Sequence, residues 1–459
     1  MKTYMFLVVL VMALLAGLAG CGQAPATPPS NAPAPSAPAE PTQLPSPTEA
    51  APAAAPAAGE TVELRLWVNE SAPFKTAYQA LIDAYTAQHP NVKITMESFE
   101  YDAYIQTIQT AMPAKQEADI ISMFGTWVCS YGDRLAPVPA SVITLEEAQK
   151  LYFAAPLGGY TCDGKMLGLP QEFNIEYGGV MVNKAMYEAA GLTWPPQWKT
   201  MDDVIADAQK MTVIEDGVMK QAGFSFLTSD PLAFSFLAGI LQRGGDYWNA
   251  DHTAFTFNTP EAKQTLEWMK QAVVDKKVSD PSTLGGPDAD PVTIFFSGQA
   301  AMQYIGPWAI SEGRANYPDF GELGYFSLPN IAGDKPLFAA DSGWGLSVSP
   351  NSKHQDVAWD WVKFVAVDPA NALAFNVTTQ TIPAIKENAA AAGLAEKIPA
   401  ITTELPLLPY GRYLGTMPDR DQVVYQIIGP HMTNVMQELE TVDEALQKME
   451  DEANATLKK

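Results

Sequence analysis

Alternation of apolar and polar residues begins at Thr61 and frames the rest of the chain. Val62, Leu64, Leu66 and Val68 alternate with Glu63, Arg65 and Trp67, the period-two pattern of a strand with one face on a core. Behind Pro73, Phe74, Ala77, Leu81, Ile82 and Tyr85 fall at helical spacing, and His89-Pro90 predicts the stop. Val92, Ile94 and Met96 predict a second strand. Tyr104, Ile105, Ile108 and Met112 predict a second helix ending at Pro113, and the apolar run Ala118 to Phe124 a third strand. Strands separated by helices imply a parallel sheet covered on both faces. Ligands of such open sheets bind beyond the carboxyl ends of the strands. Here those ends are Asn69-Glu70-Ser71, Phe99-Glu100-Tyr101 and Gly125-Thr126-Trp127.

A second αβ series opens at Gly178 to Asn183. Thr200-Met201-Asp202-Asp203 reads as a capping box, and Thr259-Pro260-Glu261 as a cap followed by proline at the first helical position. Phe338 to Val348 reads as one further strand running through Asp341-Ser342-Gly343-Trp344-Gly345. Helical patterns return at Asp356 to Val367 and from Gln422 to Lys458, the latter interrupted at Gly429-Pro430. About 400 residues of such material exceed one compact core and suffice for two domains.

The N-terminus has a different character. One positive residue, Lys2, precedes an apolar run from Met5 to Leu18 that ends in Leu18-Ala19-Gly20-Cys21. The run has signal-peptide length and is short for a bilayer span. Its ending is the lipobox pattern of bacterial lipoproteins, in which the Cys21 thiol accepts diacylglycerol. Residues 1–20 are therefore expected to be a lipoprotein signal peptide. Residues 21–59, almost wholly Ala, Pro, Thr and Ser, cannot bury enough apolar surface to fold and are expected to be a disordered tether. Acyl chains on Cys21 would hold the body to membrane lipid on the outer face of the cell membrane.

Charge narrows the partners. With 52 acidic against 28 basic residues the formal net charge is −24, which argues against nucleic acid and against an anionic membrane surface. With Cys21 committed to lipid, Cys129 and Cys162 form an even pair in an oxidising compartment, and we expect them to be bonded. The chain carries no G-x-S-x-G, H-E-x-x-H, P-loop or G-x-G-x-x-G pattern. We expect no metal site, no cofactor and no enzymatic activity. The tryptophans divide by setting. Trp127, Trp248, Trp308 and Trp344 lie in Gly-, Pro- or Asn-flanked stretches, whereas Trp268, Trp359 and Trp361 sit within helical patterns as packing residues. Indoles on loops line surfaces or pockets. Sugar rings present apolar C–H faces that stack on them, while carboxylates, amides and guanidinium groups exchange hydrogen bonds with the hydroxyls.

Several landmarks in order resemble the extracellular solute-binding proteins of carbohydrate ABC importers, the maltose-binding type. They are the lipobox and tether, Glu63-Leu64-Arg65-Leu66-Trp67, Tyr101-x-x-Tyr104-x-x-x-Ile108, Ala118-Asp119-Ile120, and Leu169-Pro170-Gln171-Glu172-Phe173 before Val182-Asn183-Lys184. Ala301-Met302 before Gly306-Pro307-Trp308, Gly343-Trp344-Gly345, Thr381-Ile382-Pro383 and Thr441-Val442-Asp443-Glu444-Ala445-Leu446 follow. The resemblance implies an α/β, two-lobe periplasmic-binding-protein-like (type II) fold with a hinged cleft. It implies an N-terminal lobe over 60–172 and 345–400 and a C-terminal lobe over 173–344 and 401–459. Crossings would lie near Gln171 to Glu176, Ala340 to Gly345, and Leu394 to Leu405. The implied ligand contacts are Glu70, Glu100, Trp127, Glu172, Asn174, Trp248, Trp308, Gly343 and Trp344, with Gln380 and Arg412. Two departures stand out: Val182-Asn183-Lys184 replaces a Tyr-Asn-Lys common among relatives, and Cys129 and Cys162 are not a general feature. The implied activity is that of a monomeric receptor passing a sugar or oligosaccharide to the transmembrane subunits of an ABC permease. The alternatives are a receptor for a polyamine or glycerol phosphate derivative, and a secreted glycan hydrolase.

Overall fold

The computed structural model describes residues 61–284 and 289–458. The expected signal peptide and tether over 1–59, with Cys21, lie outside the described residues.

The opening pattern folds as its periodicity predicts. Strand β1 (Val62–Asn69), helix α1 (Ala72–Gln88), strand β2 (Val92–Phe99), helix α2 (Tyr101–Ala114), strand β3 (Ile120–Phe124) and helix α3 (Gly125–Tyr131) follow one another. β1 pairs in parallel with β2 and β3. The sheet is not purely parallel, because the strand Trp344–Val348 joins β3 in antiparallel register and carries Leu169–Pro170 on its far side. Helix α2 runs one residue beyond Pro113 and stops where Lys115 turns left-handed.

Both faces of this sheet are buried, as a βα alternation requires. Leu64, Leu66, Val68, Ile120 and Leu346 pack with Tyr78, Trp359, Trp361 and Phe375 on one side. Trp67, Ile121 and Met123 pack with Tyr104, Ile108 and Val128 on the other. Each such aliphatic side chain withdrawn from water contributes roughly 1.5–3 kcal/mol before ordering costs.

A second core forms around Gly179–Asn183, which pairs antiparallel with Met302–Tyr304 and with Leu323–Ser327. Val180, Val182, Phe226, Leu237, Leu266, Tyr304, Met432 and Leu446 are buried there together. Leu394 and Ile398, expected in the first lobe, also belong to this second core. Beside residues 173 and 174, Phe173 N–H donates to Ile382 O at 2.8 Å, and Asn174 N–H to Ser342 O at 3.0 Å, so the stretch Thr381–Pro383 runs next to them.

Two sequence expectations need correction. Phe338 to Val348 is two strands. Phe338–Ala340 pairs with Gly411–Tyr413, and Trp344–Val348 belongs to the first sheet. Between them Ser342 and Gly343 take positive φ, 78° and 123°, which swings the chain from one lobe to the other. Nor do Gly429 and Pro430 break the C-terminal helix. A π-helical turn over Gln422–Ile428 hands directly to Gly429–Met436, and such wide turns suit a residue with no N–H to donate. The true break falls before Thr441, whose side chain forms a capping box with Glu444.

Candidate functional site

The strand ends of the first sheet meet loops and helix starts of the second core around a cavity of about 350 Å³. Asn69, Glu70 and Ser71 follow β1, Glu100 and Tyr101 follow β2, and Phe124 ends β3 beside Trp344. The facing residues are Asp230 and Pro231 early in the helix Ser229–Gln242, Asp290 to Val292 at the start of Pro291–Phe296, and Trp308 and Glu312 of Trp308–Asn316. Arg420 and Tyr425 close the floor, and the crossing segment contributes Glu172, Asn174 and Glu176.

The crossing carboxylates fix aromatic walls. Glu176 Oε1 accepts from the Trp308 indole N–H at 2.7 Å and from the Asn174 amide at 2.9 Å. Glu172 Oε1 accepts the backbone N–H of Trp344 at 3.0 Å. Burial pushes Glu172 up to about 7, and burial followed by repulsion from Asp230 pushes Glu176 well above the usual carboxylate range.

Arg420 is itself almost wholly buried and bonds three carboxylates, those of Asp230, Asp341 and Asp421. Its guanidinium also lies over the Tyr425 ring, 4.8 Å from the centroid. Burial pushes Asp341 upward, with Arg420 pulling against it and Asp230 adding repulsion. At the opposite wall Glu70 bonds Lys75 and Ser98, which hold it below its ordinary range.

Of the residues expected to contact ligand, Glu70, Glu100, Glu172, Asn174, Trp308 and Trp344 line this cavity. Five do not. Trp127 lies one layer back, within α3, where its ring meets Trp344 edge-on at 5.4 Å. Gly343 serves the crossing: its carbonyl accepts from Gly125 N–H and the Tyr160 hydroxyl. Trp248 is buried in the second core, stacked on Phe255 at 4.0 Å and donating to Leu414 O. Gln380 caps its helix in left-handed conformation and bonds Val377 O and Lys397 O. Arg412 is engaged by Asp246 and lies over Tyr247.

Sequence reading missed Arg420, Tyr425, Asp230, Asp290 and Glu312. Arg420 sits in Pro418-Asp419-Arg420-Asp421, where nothing local separates it from Arg412. Glu176 ended a segment already singled out as a crossing, so its placement was the one within reach. Cys129 and Cys162 are joined by a disulfide with Cα atoms 5.5 Å apart. It secures α3, from which Ser130 Oγ reaches across to Pro418 O at 2.6 Å.

The arrangement has parallels among known proteins. A protein of Brucella abortus (strain 2308) named as a binding protein is 24% identical over 310 residues, covering 66% of this chain and 72% of its own. The cyclic alpha-maltosyl-1,6-maltose binding protein of Arthrobacter globiformis superposes with a TM-score of 0.69 at 22% identity, over 87% of this chain and 99% of that one. An ABC substrate-binding protein of Listeria monocytogenes, solved in complex with cycloalternan, gives 0.71 at 20% identity over 87% and 100%. These likenesses establish the two-lobe α/β fold of periplasmic binding proteins. The sequence profile of the bacterial extracellular solute-binding proteins matches residues 70–372, and the chain belongs to that family.

Proposed function

We propose that this protein is an extracytoplasmic receptor that captures a saccharide between its lobes and delivers it to the membrane subunits of an ABC importer. The observation that carries the reading is the cavity itself. Half-buried Trp308 and Trp344 give it aromatic walls, while Glu172, Asn174 and Glu176 from the crossing segment supply directed polar groups. Flat rings beside hydrogen-bonding groups match a pyranose, which has apolar faces and a polar rim. The Arthrobacter and Listeria proteins, named for saccharides or solved with one, support the same class of ligand. A glycerol phosphate derivative fits poorly, because carboxylates far outnumber the single guanidinium in the lining.

In this reading the protein binds without transforming its ligand, acts as a monomer and needs no cofactor. Segments near 171–176, 341–345 and 381–383 form the hinge, and a conformational change on binding signals occupancy to the permease. Cys21 bears the lipid anchor, and residues 21–59 are the tether. Calorimetric titration with a panel of mono- and oligosaccharides tests the receptor reading. A saccharide should bind at one site per chain and be recovered intact; release of a shorter product would point to hydrolysis instead. Cys21→Ser should move the protein from the detergent phase to the aqueous phase on partitioning.

A further inference from the structure

The charge of the cavity suits a particular kind of sugar. Arg420 is the one cation among the described residues lining it, and it is already surrounded by carboxylates. Glu176, close by, is held by an indole, an amide and a backbone N–H, and burial favours its uncharged form, so the free charge of the lining rests on the outer carboxylates. At the mouth, Glu100 comes from the first lobe, and Asp290 and Glu312 from the second. We propose that the ligand is a cationic saccharide, carrying at least one protonated amine that sits among carboxylates supplied by both lobes. The proposal rests on the receptor reading and narrows it.

Two lines of argument support it. Closing the lobes on a neutral sugar would press Glu100 toward Asp290 and Glu312, and like charges brought together in a drying cleft repel. An ammonium group between them turns that repulsion into attraction, so a cationic ligand favours closure electrostatically where a neutral one does not. Glu312 already feels these neighbours: desolvation first, then Asp290 and Glu100, raise its carboxyl above its ordinary range. A metal ion is the other natural counter-charge. Among the described residues, however, no group of three His, Cys, Asp or Glu side chains is gathered closely enough to hold one. An amine on a sugar scaffold needs no such convergence and also favours the faces of Trp308 and Trp344.

The test compares glucosamine di- and trisaccharides with their N-acetylated counterparts, which keep the ring and remove the charge. Titrations are run at about pH 6 and about pH 9, on either side of the range in which such amines lose their proton. The amine forms should bind at least about tenfold more tightly at the lower pH, and the ratio should shrink at the higher. Glu100→Gln and Glu312→Gln together, both at the exposed rim, should cut that ratio to about threefold or less. Equal or tighter binding of the acetylated sugars overturns the charge inference while leaving the saccharide receptor intact. Spermidine binding as tightly as the amino sugars, with acetylated sugars inert, overturns the saccharide reading itself. Failure of the amine forms to bind at either pH also overturns the inference.

Discussion

The indole nitrogen of Trp308 lies 2.7 Å from Glu176 Oε1, so the aromatic wall of one lobe is pinned by a carboxylate in the segment that joins the two. The ring cannot rotate without leaving a buried carboxyl short of a donor. Trp308→Phe therefore keeps a flat apolar face and loses its orientation, whereas Trp308→Ala loses both. Stacking is worth about 0.5–1.5 kcal/mol beyond area burial. We expect Trp308→Phe to weaken saccharide binding several-fold and Trp308→Ala by about tenfold to a hundredfold, measured by calorimetry. Trp268→Ala is the control: its ring packs against the second core, so its loss should lower stability and spare affinity. Full affinity in folded Trp308→Ala would remove this cavity as the site.

The contrast between Trp308 and Trp248 shows how far the sequence could be read. Both stand beside turn-forming residues, and local pattern does not tell a ring that lines a pocket from one that pins a loop. The difference is tertiary. Gly415 approaches Trp248 so closely that a Cβ there would sit 2.5 Å from the indole nitrogen, and Leu414 O takes its N–H. Periodicity made β1, β2, β3 and their helices legible because each buries its own alternating face. The strand ends were legible for the same reason, and Glu70 and Glu100, which follow β1 and β2, line the cavity. Arg420 and Asp230 meet across 190 residues, and no local spacing encodes such a pair.

Gly343 is expected to tolerate no side chain. Its φ is +123°, and a Cβ would lie 2.7 Å from Glu172 O. Gly343→Ala combines an unfavourable backbone region, about 1–3 kcal/mol, with a clash against the neighbouring crossing strand. The variant should unfold several degrees below the parent in a thermal scan, and saccharide binding should weaken with the displacement of Trp344. An unchanged midpoint would mean that the crossing can rearrange at little cost.

The disulfide closes a loop over a sequence separation of 33 residues. Chain-entropy arguments assign such a loop about 3–4 kcal/mol of stabilisation. Cys129→Ser with Cys162→Ser should lower the urea midpoint accordingly. Thiol titration of the unfolded, unreduced parent should detect neither Cys129 nor Cys162. The double variant should also loosen α3, and with it the Ser130 contact to Pro418.

Acidity should affect stability through Glu404. This carboxyl is fully buried, accepts the Tyr325 hydroxyl on Oε1, and has no partner for Oε2. Burial pushes it up to about 8 from an ordinary 4.5. The folded state thus holds the proton more tightly than the unfolded chain. Its contribution is complete below about pH 4.5 and is lost as pH rises toward 8, on the order of 4 kcal/mol across that window. Glu404→Gln cannot ionise, so the variant should gain on the parent steadily between pH 5 and 8 in urea unfolding. Parallel pH profiles for the two proteins would show that Glu404 does not titrate in that range.

Arg420 links the cavity floor to the hinge, and its removal should be the most damaging single change of those considered. The guanidinium pairs with Asp341, which is completely buried in the crossing segment, and with Asp230 and Asp421. Taking away one partner of a buried ion pair costs about 3–5 kcal/mol, because the remaining charge stays in a poor solvent. Arg420→Met keeps most of the apolar volume and contact with the rings of Phe234 and Tyr425, so its cost should report the charge rather than a cavity. Asp341→Asn in the same chain removes the stranded carboxylate, and the double variant should regain a substantial part of the loss. A loose packing role would give no such recovery. Binding separates the two functions of the residue: the double variant, though restabilised, should still bind saccharide poorly, because Asp230 has lost the guanidinium that positions it on the floor. Urea unfolding and calorimetric titration of the parent, both single variants and the double variant complete the cycle. Additive stability losses would show that Arg420 and Asp341 do not act as a pair.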